Sequence, residues 1–99
     1  GVVRFAIEVA NDTRQRVELN FPDGRTHDFV VLNDAGREVW RWSAGRLFTQ
    51  SMQNRLLDAH ASVVYDERWS PPSPGHYTLV ASLRSENYPV QQRVDFALR

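Results

Sequence analysis

The sequence has 99 residues, enough for one domain and too few for two, and 41% of them are hydrophobic. It contains no Cys, which excludes a disulfide framework and a zinc site built on thiolates. Twelve basic residues, all of them Arg, are interspersed along the chain with twelve acidic ones, so we expect no basic face that would bind a nucleic acid. No apolar run approaches the roughly 18 residues that a membrane-spanning segment needs.

The first two predicted strands alternate apolar and polar residues. The alternation covers residues 5–9, is broken at residues 11–14 and returns over residues 17–21. A period of two is typical of a strand with one buried face. The Pro-Asp-Gly sequence at residues 22–24 predicts a turn in which Gly24 takes a positive φ.

A hairpin is predicted next. An apolar run at residues 29–32 ends at Asn-Asp-Ala-Gly, residues 33–36, and residues 37–42 return as the second arm. Residues 47–52 are compatible with a further short strand. Residues 51–57 show no clear period, and we expect a loop or one turn there.

The last third of the chain predicts three more strands. Residues 63–69 form one, and three Pro in residues 70–76 require an exposed connection after it. Residues 77–83 and 94–98 alternate again. Turn signals about every ten residues predict an all-β fold, an immunoglobulin-like antiparallel β-sandwich of about seven to eight strands. Tyr77 is placed like the tyrosine corner of such sandwiches.

Two tryptophans share one strand. Trp40 and Trp42 are two positions apart and therefore point to the same side, with Val39 and Arg41 on the other. Large aromatic side chains more often pack than bind, so we expect both indoles in the core. The alternative exposes one Trp beside an Arg as an anchor for a partner, because Trp and Arg are frequent at interface hot spots.

Asp58, His60 and Ser62 have the composition of a hydrolytic triad. Alternate side chains on one extended strand lie about 6.5 to 7 Å apart, too far for the hydrogen bond between a nucleophile and its base. We interpret the three as surface residues and predict no catalytic residue. The His and acidic residues have no metal-site spacing, so no metal and no cofactor is predicted.

Two connections are long enough to carry recognition, which a sandwich assigns to its loops. Residues 43–53 include Leu47, Phe48 and Met52, any of which could enter an apolar pocket of a partner; the alternative is that Phe48 plugs the core. Residues 70–76 are stiffened by Pro and could present a preformed edge, or form a plain surface crossover.

The hairpin and the residues after it carry a family resemblance. Glu-Val-Trp-Arg-Trp-Ser at residues 38–43, continuing through Gly45 to residues 48–50, resembles the signature of the BsuPI intracellular proteinase inhibitors. Residues 5–11 resemble the first strand of that family. His27, where the family often has Tyr, and residues 58–60, where it usually has a Pro-Gly turn, depart from the pattern.

The resemblance implies a single BsuPI-like immunoglobulin-fold domain over residues 1–99 that binds an intracellular subtilisin-like serine protease and is not an enzyme. We hypothesise inhibition by occlusion, in which residues 43–53 block the substrate cleft. The partner-binding candidates are Arg41 and Arg46 as rim charges and Leu47, Phe48 and Met52 as apolar contacts. The signature residues look architectural, so sharing them implies fold more than activity: Trp40, Trp42, Ser43, Phe48, Thr49 and Gln50.

The alternative is a non-inhibitory immunoglobulin-like interaction or spacer module with all tryptophans in its core. The resemblance implies a cytoplasmic protein, whereas this alternative allows export if a leader segment preceded Gly1. Both hypotheses expect a protein partner, with no nucleic acid and no membrane segment, and both leave the oligomeric state open.

Overall fold

The chain forms eight strands and no helix in the computed structural model, which describes residues 1–99. All strand pairs are antiparallel. No segment is a helix long and apolar enough to cross a membrane. The strands are β1 (Val3–Ala10), β2 (Val17–Phe21), β3 (His27–Leu32), β4 (Glu38–Arg41), β5 (Gln53–Leu57), β6 (Ser62–Trp69), β7 (Gly75–Leu83) and β8 (Val90–Leu98).

The strands build a β-sandwich from one large sheet and two strand pairs. The large sheet has the order β4-β3-β7-β8, and the pairs are β1-β6 and β2-β5. Phe5 of β1 packs against the large sheet, with ring centroids 5.9 Å from Phe29 of β3 and 5.8 Å from Phe96 of β8. The prediction of an all-β antiparallel sandwich is confirmed, and its immunoglobulin-like character stays a prediction.

The alternation of apolar residues accounts for the core. Side chains at every second position of a strand share one face, and these faces meet between the layers. The main core consists of Phe5, Phe29, Val31, Trp69, Tyr77 and Leu79. A smaller cluster under β2 consists of Leu19, Phe21 and Leu83.

Two predicted local structures are present. The hairpin turns at Gly36, which has a φ of 79°, and the Asn33 side-chain carbonyl accepts hydrogen bonds from the N–H groups of Ala35 and Arg37. The Tyr77 hydroxyl donates to the carbonyl oxygen of Ser73 at 2.6 Å, which ties the Pro-rich connection to β7 as a tyrosine corner does.

The prediction of a loop or one turn over residues 51–57 was wrong, because residues 53–57 form β5. This strand pairs with β2, from Phe21 opposite Gln53 to Val17 opposite Leu57. Only Leu57 of β5 is buried. A strand whose residues are mostly exposed on both faces carries no alternation in its sequence, which is why its period was not visible.

The trio Asp58, His60 and Ser62 does not share a strand face. His60 has a φ of 62°, and a turn closes through the N–H of Ala61 donating to the carbonyl oxygen of Asp58 at 3.0 Å. Only Ser62 belongs to a strand. All three are exposed, and no catalytic geometry links them.

Candidate functional site

The β4–β5 loop, residues 42–52, is the longest connection between strands and joins the large sheet to the β2-β5 pair. It contains most of the signature residues and most of the candidates for partner binding. Short turns shape its first half: the Ala44 N–H donates to the Arg41 carbonyl at 3.1 Å, and Gly45 has a φ of 76°. Three sets of contacts then fix the loop to the sandwich.

The first set centres on the buried carboxylate of Asp28. The Ser43 hydroxyl donates to Asp28 Oδ2 at 2.6 Å and the Ser43 N–H donates to Asp28 Oδ1 at 3.1 Å. The N–H of Phe29 donates to the same Oδ1 at 2.9 Å. A buried carboxylate is stable only when it is paired and hydrogen-bonded. These contacts therefore hold the start of the loop against β3.

Arg41 completes the environment of this carboxylate. Its guanidinium lies 3.5 Å from Asp28 Oδ2 and donates to Glu38 at 2.7 Å. The hydrogen bond to Glu38 raises the pKa of Arg41 above its ordinary value, and the negative charge of Asp28 acts in the same direction. Arg41 therefore stays charged, and its side chain is engaged within the chain.

The second set is a stack of side chains around Trp42. The Trp42 ring lies 4.6 Å from the His27 ring and 5.6 Å from the Phe48 ring. The Arg46 guanidinium sits 4.7 Å from the Trp42 ring centroid, and Arg46 Nε donates to the Trp42 carbonyl at 2.9 Å. The Trp42 indole N–H is buried without a hydrogen-bond partner, so ring packing and the cation–π contact with Arg46 favour this position of the ring.

The third set fixes the second half of the loop. The Gly24 N–H donates to the Thr49 carbonyl at 2.9 Å. A Cβ at position 24 would lie 2.6 Å from Thr49 Cγ2, closer than any side chain tolerates. The prediction that Gly24 takes a positive φ was wrong; its lack of a side chain makes room for Thr49.

Between these contacts, Leu47 is presented wholly to solvent. Its side chain is 100% exposed, while both of its chain neighbours, Arg46 and Phe48, pack against Trp42. Met52, near the end of the loop, is 67% exposed. A leucine with no contact of its own on a loop held at both sides has no role in folding.

The remaining residues predicted from the sequence differ in how far they are buried. Trp69 is buried, and Trp40 and Trp42 are half-buried and pack against the core, so no tryptophan is an exposed anchor. Phe48 is half-buried and packs on the Trp42 ring. Gln50 is exposed.

One network of hydrogen-bonded side chains, around the buried His27 ring, was not identified from the sequence. His27 Nε2 lies 2.7 Å from Glu67 Oε2, and His27 Nδ1 lies 2.9 Å from the Thr26 hydroxyl. The His27 ring also packs 5.1 Å from the Tyr65 ring. The sequence feature that could have indicated these contacts is the departure of His27 from the family pattern, since a polar ring at a buried position requires hydrogen-bond partners.

The structure gathers no group of three His, Asp or Glu side chains that could hold a metal ion. The second candidate connection, residues 70–76, is exposed for most of its length and is tied to Tyr77 through Ser73. The β4–β5 loop therefore holds the exposed side chain of Leu47 between two segments that are fixed to the sandwich.

The comparison with protein families agrees with the signature. The model of BsuPI, intracellular proteinase inhibitor, matches residues 1–88, which include β1 to β7 and the whole β4–β5 loop. The comparison with curated proteins gives no match. The resemblance read from residues 38–50 is confirmed, and the chain belongs to the BsuPI family of intracellular proteinase inhibitors.

Proposed function

We propose that the 99 residues form a single cytoplasmic inhibitor domain that binds a subtilisin-type serine protease and blocks its substrate cleft with the β4–β5 loop. The observation that carries the proposal is Leu47, a fully exposed apolar side chain on a loop that is fixed on both sides. In this proposal the domain is a binding protein and not an enzyme, as membership of an inhibitor family indicates.

The rigidity of the loop supports tight binding. A flexible loop loses conformational entropy when a cleft orders it, at about 0.5–1.5 kcal/mol for each immobilised side chain. The contacts of Ser43 with Asp28 and of Thr49 with Gly24 already exist in the free protein. The domain therefore binds with little further ordering, and affinity depends mainly on what Leu47 contacts.

The same contacts explain how the loop would resist turnover. A protease that cut the loop beside Leu47 would leave one new end attached at Ser43 and the other at Thr49. The two ends would stay close together, which slows release of the products and favours resealing of the bond. The domain then acts as an inhibitor and not as a substrate.

Leu47 is the principal contact in this proposal. Phe48 already packs on Trp42, and moving it into a protease pocket would break that contact. Met52 is exposed, but it lies directly before β5, whose backbone is paired with β2. Met52 is therefore less free than Leu47 to enter a protease pocket. Arg46, beside Leu47, supplies a positive charge at the rim.

Titration of a subtilisin-type protease with the domain tests this function. Loss of activity at a stoichiometric ratio is expected, and full activity at high excess of the domain would refute the proposal. Leu47→Ala should weaken inhibition about 10- to 100-fold, because the pocket then buries a methyl group in place of a leucine. Leu56→Ala is the matched control, since Leu56 is an exposed leucine on β5.

The second candidate function is a non-inhibitory interaction or spacer module. It is favoured by the packing of all three tryptophans against the core, which leaves none as an interface anchor. It expects no effect on any protease and no difference between Leu47→Ala and the unaltered domain in binding to a partner. The same titration therefore distinguishes the two functions.

A further inference from the structure

Strand β8 extends beyond the layer that covers the rest of the large sheet. At the end of the sheet where β8 starts, β6 lies over β3, since the Tyr65 ring packs 5.1 Å from the His27 ring. At the other end, the Trp69 ring of β6 lies 5.1 Å from Tyr77 of β7 and 6.4 Å from Phe96 of β8, so that end of β8 is covered. β1 is the next strand of that layer, and within the large sheet it approaches β7 most closely. No strand lies over the part of β8 nearest to its start.

The exposed fractions of neighbouring side chains on β7 and β8 show that no strand covers this part of β8. Val94 and Val90 of β8 are opposite Leu79 and Leu83 of β7, on the same face of the sheet. Leu79 and Leu83 are 7% and 3% exposed, whereas Val94 and Val90 are 51% and 44% exposed. One row is therefore buried under β1 and the smaller cluster, and the neighbouring row is open to solvent.

The open row lines a groove of about 290 Å³ between β1 and β8. Nine of its eleven lining residues are hydrophobic, with Leu79 and Ala81 at its floor and Val90 and Val94 on its far side. The near side is formed by residues 6–10 of β1. We call it the β1–β8 groove.

The free edge of β1 offers hydrogen-bonding groups along this groove. The Asn11 N–H donates to the Ala61 carbonyl at 2.9 Å, and the Asn11 carbonyl accepts from the N–H of His60 at 2.8 Å. Main-chain groups of successive residues in a strand point to opposite sides. The odd-numbered residues of β1 therefore face β6, and Ala6 and Glu8 direct their N–H and C=O groups towards the groove.

We propose that the β1–β8 groove binds one extended segment of a partner polypeptide, which adds to the free edge of β1 as a new strand. An added strand lies about 4.8 Å from its neighbour, and every second side chain would face Val90 and Val94. Main-chain hydrogen bonds give such β-augmentation its affinity, and alternate side chains give it specificity. The segment recognised is therefore apolar at every second position.

Strand spacing excludes a second copy of the domain as the occupant. Two-fold pairing of β1 with β1 of a second copy would place the second copy's β7 one strand spacing, about 4.8 Å, from the first copy's β7, where β8 already lies. Pairing of β8 with β8 of a second copy would leave two strand positions empty above the pair, so both open rows would stay uncovered. A single added strand beside β1 fills the empty position over β8.

The charges of β1 add a requirement on the segment. Arg4 is paired with Asp66 at 2.7 Å, whereas Glu8 takes part in no ion pair. Opposite charges on neighbouring strands attract. The segment therefore carries a basic side chain at the position facing Glu8, on the surface of the strand that points to solvent.

This groove is independent of the proposed inhibitory loop. β4, from which the loop leaves, and β8 are the two opposite edges of the large sheet. Occupation of the groove goes beyond protease inhibition, and either property can fail without the other.

The test uses a synthetic peptide of about eight residues, in which valine alternates with threonine and one central threonine is replaced by arginine. Binding to the ¹⁵N-labelled domain is followed by NMR. We expect shift changes confined to the residues that line the groove, within 6–10, 79–83 and 90–94, and slower amide exchange at Ala6 and Glu8. No shift change at millimolar peptide, or changes elsewhere only, would overturn the proposal. A peptide with proline at its centre is the negative control.

Two variants and one matched control test the contacts. Val94→Asp should weaken peptide binding by about tenfold or more, because it places a charge in the apolar row. Ala6→Pro removes an N–H that pairs with no strand of the domain, so binding should fall while the fold stays intact. Val39→Asp makes the same change as the first variant at the opposite edge and should leave binding unchanged. Equal binding by all three variants, or self-association of the domain through the groove in sedimentation experiments, would refute the single-strand occupant.

Discussion

Replacing Ser43 with Ala tests whether the signature residues hold the β4–β5 loop in place. The change removes one hydroxyl, which donates to the buried carboxylate of Asp28 at 2.6 Å. Asp28 Oδ2 would then keep only the guanidinium of Arg41, at 3.5 Å. The carboxylate is almost fully buried, so water does not replace the lost donor.

The magnitude follows from this geometry. Hydrogen bonds to charged groups contribute about 1.5–3 kcal/mol, and short ones lie within this range or above it. We expect Ser43→Ala to lower the free energy of unfolding by about 2 kcal/mol. For a domain of this size, such a loss lowers the melting temperature by roughly 8–16 °C.

Urea denaturation followed by tryptophan fluorescence measures this change, with a second probe to establish two-state unfolding. Ser51→Ala is the matched control, because Ser51 lies in the same loop and is exposed; its free energy of unfolding should stay within about 0.5 kcal/mol of the unaltered domain. A loss below about 0.5 kcal/mol for Ser43→Ala would refute the reasoning that the Asp28 contact fixes the loop.

Three further predictions concern other contacts. Gly24→Ala should lower the free energy of unfolding by about 1–3 kcal/mol, because the new Cβ would meet Thr49 Cγ2 at 2.6 Å; Thr49→Ser should recover part of this loss in urea denaturation, and no recovery would contradict the contact. Asn11→Ala should cost about 2–4 kcal/mol in the same assay, since the Asn11 amide donates to three main-chain carbonyls, and a cost near zero would contradict that role. Burial raises the pKa of Tyr65 above its ordinary value of 10.0, against a smaller opposite effect of Arg55. The stability from this neutral phenol is complete below pH 10 and is lost as pH rises through the raised pKa, so Tyr65→Phe should lose less stability above pH 10 than the unaltered domain, and identical alkaline profiles would contradict it.

The strands with one buried face were predicted correctly from the sequence, and strand β5 was not. In β1 and β7, the alternation records which residues face the core, as at Phe5 and Tyr77. β5 lies outside the main core, and four of its five residues are not buried. Its formation depends on pairing with β2, a contact made across more than thirty residues of chain, and no local pattern encodes that contact.

The candidate site was readable as a segment but not as individual residues. Leu47 and Phe48 are neighbours of similar hydropathy, and the sequence offers no basis for telling the exposed one from the packed one. The difference arises from Trp42, whose ring contacts Phe48 and leaves Leu47 free. The role of Gly24 was misread for the same reason, because its neighbour Thr49 lies far along the chain.

The structure of a complex tests the central claim most directly. The domain would be crystallised with a subtilisin-type protease whose nucleophilic serine has been replaced by alanine. We expect the Leu47 side chain in the pocket that receives the residue before the scissile bond, with Ser43 still bound to Asp28 and Thr49 still packed on Gly24. A complex in which Leu47 remains in solvent and another surface meets the protease would contradict inhibition by the β4–β5 loop.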